Sequence, residues 1–314
     1  MFKQGLPSRF KEPKGWLWGE FTGARGEPLR FGTLRSHKTP LAHVVYIEGL
    51  SEFAEKTFEL ARDFNRMACN FSVLDRHGQG KSARYFGSND KQHSDGLDAD
   101  VEDIIKYCRE HIPPGEPIVL LGHSTGALFA LLALEKAPDL FKAAILTAPL
   151  LGFENPFVKN LEGFYANICF PQWLRQNYAG GGGPWKSRDS DESSLKPEDF
   201  SSDPVRNKVS DYWPQHDPAL QAGSATVGWV HEMCKAVIKV RDPAFLQRIT
   251  MPMLIFTAGD DALVTEKPAH DAAQHMKKAT CFRYEHGKHE LLMETDTIRK
   301  DLLSRVRDFL KKNL

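Results

Sequence analysis

No sign of charge predominates in this chain: Lys and Arg number 41, Asp and Glu number 41, and the formal net charge is zero. That balance argues against an electrostatic nucleic-acid binder, which needs a basic face. Cysteine is sparse. Cys69, Cys108, Cys169, Cys234 and Cys281 are scattered, odd in number and form no C-x-x-C. This argues against a disulfide scaffold and predicts reduced, buried thiols in a reducing compartment. Long apolar runs are also lacking. The longest, residues 118–133, is interrupted by His123 and Ser124 and falls short of a membrane span. Residues 1–14 carry charges and two prolines but no apolar stretch, so no secretory leader is expected. No fixed-period repeat is visible. The histidines lack H-x-x-x-H or paired-carboxylate spacing, and no P-loop or G-x-G-x-x-G opens a helix. No metal and no cofactor is therefore expected.

What is present centres on residues 120–126. Gly122, His123, Ser124, Thr125 and Gly126 form G-x-S-x-G, preceded by Ile118, Val119, Leu120 and Leu121 and followed by a run of Ala and Leu. An apolar strand, a sharp turn and a strong helix former make the setting of a nucleophile elbow. The turn holds its serine in strained φ/ψ and leaves no room for a Cβ at Gly122 or Gly126. The alternative is a loop in which Ser124 only caps the helix.

The rest of the chain alternates strand and helix signals. Residues 16–21 and 29–34 predict an opening hairpin. Apolar runs at 43–47, 71–74, 118–121, 143–146, 253–257 and 281–284 predict further strands, eight in all. Helical spacing occupies 53–67, 97–111, 268–275 and 296–310. Buried strands alternating with helices predict a mostly parallel α/β sheet covered on both faces, with ligands at the carboxyl ends of its strands.

Residues 150–249 break the alternation. They hold Gly180 to Gly183, a polar stretch and four of the six tryptophans, Trp173, Trp185, Trp213 and Trp229. The division expected is a core of 1–149 and 250–314 with a cap, or lid, of 150–249. A surface excursion packed on its own aromatics is the other reading. The four glycines are read as a flexible turn ahead of an anion nest.

A serine hydroxyl needs a base in contact. In the chain order serine, acid, histidine, the base belongs in the loop after the last strand. His289 is favoured over His286 because an apolar segment follows it. Asp261 is favoured over Asp260 as the acid, since Leu263 and Val264 would pin the loop beyond it. Glu294 is read as a supporting or capping residue. The oxyanion donors expected are the N–H groups of Thr125 and Leu50, with Gly49 freeing the backbone to turn. Gly49, His123 and Trp229 are candidate pocket residues. His77, Gly78, Gln79 and Gly80 follow the wrong strand for an oxyanion loop and are read as shaping the pocket rim.

These pieces together resemble the lysophospholipase L2-type and monoacylglycerol-lipase-type α/β hydrolases. The resemblance is carried by Gly49 with Glu52 and Lys56, by DRHGQGKS at 75–82, GHSTG at 122–126, the 259–264 acid loop and HELLME at 289–294. YAGGGGPW at 178–185 and Ser202, Asp203 and Pro204 resemble the lysophospholipase L2 branch. Glu48 stands where the lipase branch usually has histidine, and Thr125 and Ala127 where Met and Gly are commoner. The resemblance implies an α/β-hydrolase fold and a serine ester hydrolase with the triad Ser124, His289 and Asp261. The implied substrate is a single-chain lipid ester, a lysophospholipid or monoacylglycerol. No nucleic-acid or obligate protein partner is implied. The expected location is cytoplasmic, with transient contact at the inner membrane face through the lid. A short-ester hydrolase and a non-catalytic binding module are the alternatives on the same fold.

Overall fold

The computed structural model describes residues 5–87, 91–190 and 195–314. Its strands are β1 (Trp16–Thr22), β2 (Pro28–Leu34), β3 (His43–Ile47), β4 (Asn70–Leu74), β5 (Ile118–His123), β6 (Ala143–Thr147), β7 (Met253–Ala258) and β8 (Ala279–Tyr284). They form one eight-stranded sheet in the order β1-β2-β4-β3-β5-β6-β7-β8. β1 and β2 are the expected hairpin, with Trp16 opposite Leu34, and β2 runs antiparallel to β4. From β4 to β8 every pairing is parallel. Every residue of β3 to β7 is buried. Their sequences therefore run apolar without alternating, as strands covered on two faces do.

Between the strands lie α1 (Phe58–Arg66), α2 (Asp98–His111) and α3 (Thr125–Lys136). The long segment after β6 carries α4 (Pro156–Asn167), α5 (Gln172–Arg175), α6 (Pro197–Phe200), α7 (Val209–His216), α8 (Val227–Arg241) and α9 (Pro243–Leu246). α10 (Lys267–His275) and α11 (Asp296–Asn313) complete the chain. One apolar layer packs α2, α3, α8 and α10 on one sheet face, and a second packs α1 and α11 on the other. This is the α/β-hydrolase architecture that the alternation and the elbow predict.

α3 is buried on all sides from Thr125 to Leu134. Its sequence is accordingly apolar all round instead of striped. Truncating Leu131, which is fully buried, to Ala would cost about 2–5 kcal/mol.

Residues 150–249 behave in two ways. α4 starts on Asn155, whose Oδ1 accepts from the N–H groups of Phe157 (3.0 Å) and Val158 (3.3 Å), yet no residue of α4 is fully buried. α8 starts on Thr226, whose hydroxyl accepts from the Trp229 N–H at 3.2 Å. Its inner face of Met233, Cys234, Val237 and Val240 joins the same apolar layer as α3. Arg206 staples this segment to the opposite sheet face, reaching Glu59 of α1 and Asp296 of α11 at 2.8 Å each.

The cysteine expectation needs one correction. Cys69, Cys108 and Cys234 are buried and Cys281 is half-buried, but Cys169 is exposed. It lies just past α4, where no further layer covers the chain.

Candidate active site

Ser124 stands between β5 and α3 with φ 53° and ψ −119°, a backbone region that side chains other than glycine rarely occupy. The elbow is fastened on both sides. The Ser124 N–H donates to the Thr147 carbonyl at 3.0 Å, and its own carbonyl accepts from Ala127 (3.1 Å) and Leu150 (3.0 Å). A Cβ at Gly126 would collide with the Ile47 carbonyl, and one at Gly122 with the backbone of Ala127. The two flanking glycines are thus required by close approach to β3 and to the first turn of α3.

The loops after β7 and β8 bring two more side chains to the serine. His289 Nε2 lies 3.0 Å from Ser124 Oγ. His289 Nδ1 lies 2.8 Å from Asp261 Oδ2 and 3.0 Å from Oδ1. An ionised carboxylate only accepts, so Nδ1 carries the proton and Nε2 is left to accept from the hydroxyl. Asp261 is itself fixed. Its Oδ1 accepts from the N–H groups of Leu263 (2.8 Å) and Val264 (3.0 Å), the two residues expected to pin this loop. Burial alone would raise its pKa, but His289 and these N–H donors outweigh burial and hold it below 3.8. Burial pulls His289 down, and the Asp261 carboxylate, assisted by Glu290 and Glu52, carries it above 6.5. The alternatives point elsewhere: the side chains of Asp260 and His286 are 48% and 87% exposed.

The nominated oxyanion donors sit beside this triad. Among the described residues, neither the Leu50 nor the Thr125 N–H donates to a protein acceptor. The role expected of Gly49 is corrected. The positive φ of this loop falls on Ser51, at 60°, and not on Gly49. Gly49 supplies space instead: a Cβ there would lie 3.1 Å from His123 Cδ2 and 3.3 Å from Ser124 Cβ. His123 lies beneath the site. Its ring is 4.9 Å from that of His289, its Nδ1 meets the Thr147 carbonyl and hydroxyl at 3.2 Å, and burial lowers its pKa to about 4. It supports the neighbouring rings as a neutral side chain. Trp229 and Leu50 line a small recess together with His77 and Gln79 of the rim loop.

A buried ionic cluster behind the site had no assigned role in the sequence. Lys56 Nζ bridges Glu52 Oε1 at 2.7 Å and Glu290 Oε1 at 2.8 Å. Glu52 Oε2 accepts from the Gly49 N–H at 2.7 Å and from the Tyr46 hydroxyl at 3.0 Å. Arg188, from the long segment, meets Glu290 at 3.0 Å. Burial opposes ionisation of Glu52, but Lys56 overcomes it and holds the pKa at about 2. The cluster ties the oxyanion loop to the residue following His289. Its available signals were the i, i+4 spacing of Glu52 and Lys56 and the position of Glu290. Glu294 takes the supporting role expected of it, accepting from the N–H groups of Ser202 (2.9 Å), Lys288 (3.1 Å) and Thr295 (2.8 Å). Among the described residues no group of three or more His, Cys, Asp or Glu side chains could hold a metal ion.

The sequence profile of the family described as "Serine aminopeptidase, S33" matches residues 38–296, and the chain belongs to that α/β-hydrolase family. Its enzyme class is that of the serine ester hydrolases, of the lysophospholipase and monoglyceride lipase type. Lysophospholipase L2 of Escherichia coli (strain K12) is 27% identical over 310 residues, covering 94% of this chain and 87% of that protein. Monoglyceride lipase of Homo sapiens is 25% identical over 238 residues, covering 74% of this chain and 69% of that protein. A soluble variant of monoglyceride lipase from Saccharomyces cerevisiae, solved with a substrate analog, superposes with a TM-score of 0.76 at 15% identity, covering 98% of this chain and 99% of that one.

Proposed function

We propose that the protein cleaves the acyl ester of a single-chain lipid through an acyl-enzyme intermediate. The observation that carries this is the unbroken hydrogen-bonded path from Ser124 through His289 to Asp261. In this reading Ser124 Oγ attacks the ester carbonyl while His289 Nε2 takes its proton. The N–H groups of Leu50 and Thr125 receive the developing oxyanion. The intermediate collapses as His289 returns the proton to the leaving alcohol, and water then releases the acid by the same route. Asp261 keeps the imidazole in the required tautomer and stabilises its cation.

The substrate class is supported by the likeness to lysophospholipase L2 and monoglyceride lipase. A second support is the surface of residues 150–249, read here as a lid. Phe157 and Phe164, seven residues apart on α4, and Trp173 on α5 are all exposed. Apolar side chains on a half-packed layer suit transient contact with a lipid surface. No helix among the described residues is long and apolar enough to cross a membrane. The location proposed is cytoplasmic and peripheral to the inner membrane face.

The test is a panel of lysophospholipids, monoacylglycerols and short esters. Ser124→Ala is expected to lower turnover by about three orders of magnitude or more with the fold intact. Comparable turnover by that variant, or no labelling of Ser124 by a fluorophosphonate, defeats the reading. A preference for acyl groups of about two to four carbons would replace the lipid substrate with a short ester.

A further inference from the structure

The long segment after β6 is attached to the triad at two separate places. At its start, residues 152–154 run antiparallel to the acid loop. The Glu154 N–H donates to the Leu263 carbonyl at 2.9 Å, and the Thr265 N–H to the Gly152 carbonyl at 3.1 Å. Further on, residues 188–206 close on the chain just beyond His289. The Glu290 N–H donates to the Phe200 carbonyl at 2.7 Å, the Ser201 hydroxyl to the Met293 carbonyl at 2.7 Å, and Arg206 to the Glu294 carbonyl at 2.8 Å. All of these bonds engage main-chain groups of the two loops. They fix where the chain runs, not what charge stands beside the imidazole.

Arg188 adds the charge. Its Nη1 donates to Glu290 Oε1 at 3.0 Å, and its guanidinium lies 3.5 Å from the centre of the Phe200 ring. The backbone beneath it is held by the buried Asp211 of α7, which accepts from the Arg188 N–H at 3.1 Å and from the Ser187 hydroxyl at 2.9 Å. Lys56 Nζ meets the same Glu290 oxygen at 2.8 Å, while Oε2, also buried, reaches no donor among the described residues. Burial would neutralise this carboxyl. Lys56 and Arg188 outweigh burial and keep it ionised, far below the usual carboxylate range.

The groups facing His289 come from every loop around the site. Against the pull of burial its charge is favoured by Asp261 of the acid loop, by Glu290 beside it and by Glu52 of the oxyanion loop, and the ring of His123 lies 4.9 Å away. Lys56 is shared between Glu52 and Glu290. Among the described residues Arg188 pairs with Glu290 alone, and it is the only cation that the long segment sends to this group.

We propose that Arg188 is a positioning residue for the triad: docked on Glu290, it presses the His289 loop toward the oxyanion loop, so that the long segment completes the active site as well as covering it. This rests on the reading of Ser124, His289 and Asp261 as a working triad. Arg188 touches no reacting atom and acts through Glu290.

The experiment compares full-length variants on one monomeric ester across a pH range. Arg188→Met is expected to lower kcat about 10- to 100-fold with KM little changed. It should also move the acid limb of kcat/KM to higher pH, because loss of a cation beside Glu290 leaves the His289 imidazolium better stabilised. Arg188→Lys keeps the charge and should recover most of kcat and return the limb. Wild-type kcat in the Met variant overturns the proposal. So does a fall in kcat with an unmoved limb, which is what lost packing alone would give, and so does a Lys variant as impaired as the Met variant. If the Met variant does not fold, Glu290→Gln must shift the limb the opposite way, to lower pH; a limb that stays in place is equally fatal. Titration of the His289 ring by NMR reads the same shifts without substrate and separates the two readings. A ring that titrates alike in wild type and Arg188→Met ends the proposal and leaves ester hydrolysis untouched. A ring that shifts in a protein that turns over no ester ends the hydrolase reading and leaves the link from Arg188 to His289 standing.

Discussion

α3 and α4 are equal in length and opposite in character. α3 is buried from Thr125 to Leu134 and sets the nucleophile at its first turn, whereas α4 has no fully buried residue and turns Phe157 and Phe164 outward. The first belongs to a layer in which every side chain is constrained by neighbours, so the geometry of Ser124 is fixed to within a hydrogen bond. The second rests on α8 and leaves part of its apolar surface without a protein partner. The triad is held by the close-packed region, whereas the loosely covered one leaves apolar side chains exposed.

Substitutions in the two regions should therefore differ in kind. The largest effect is expected from Asp261→Asn, which keeps the shape but removes the charge that fixes the His289 tautomer. It should lower kcat about 10⁴-fold on every ester tested. A loss confined to one substrate would break the contrast. Next is Lys56→Met, which leaves the buried Glu52 without its cation and Glu290 with Arg188 alone. A loss of about 3–5 kcal/mol in denaturant unfolding is expected, with reduced turnover of all esters. A variant as stable as the wild type would show that the cluster does not brace the site.

A smaller, selective effect is expected when Phe157, Phe164 and Trp173 are replaced together by Ser. Hydrolysis of vesicle-borne substrate should fall about tenfold, with little change for a monomeric ester. Equal losses on both would place these side chains in the fold and not at its boundary with lipid. The smallest is a displacement of the pH profile. His289 must be neutral at Nε2 to accept the serine proton, and the Asp261 carboxylate raises its pKa above 6.5 against the pull of burial. Activity should thus fall as pH drops through that raised value, and Asp261→Asn should move the acid limb to lower pH. A limb that stays in place would assign the titration to another group.

The same contrast explains what could be read from the sequence. The eight strands, the elbow and the loops bearing Asp261 and His289 announce themselves through local signals, namely apolar runs, glycine spacing and position after a strand. Leu263 and Val264 even mark which of two adjacent aspartates is held. The helices of residues 150–249 were not legible. α5, α6 and α9 are single turns, and α4 and α8 are each apolar on more than one side, so neither shows which neighbour it packs on. The link from Arg188 to Glu290 joins residues far apart in sequence, and no local spacing encodes it. Gly49 shows a subtler limit. A glycine in a turn suggests backbone freedom, but here the demand is for room beside Ser124 and His123.

The left-handed backbone at Ser124 carries a consequence for how this chain can change. Only glycine rests there without penalty, and the conformation costs any other residue about 1–3 kcal/mol. Ser124→Gly should consequently be inert yet melt later than the parent, by about 2–4 °C for each kcal/mol released in a chain of this size. Selection for ruggedness alone would favour glycine at this joint, so the most stable form of this chain and the form that carries a hydroxyl beside His289 are different sequences.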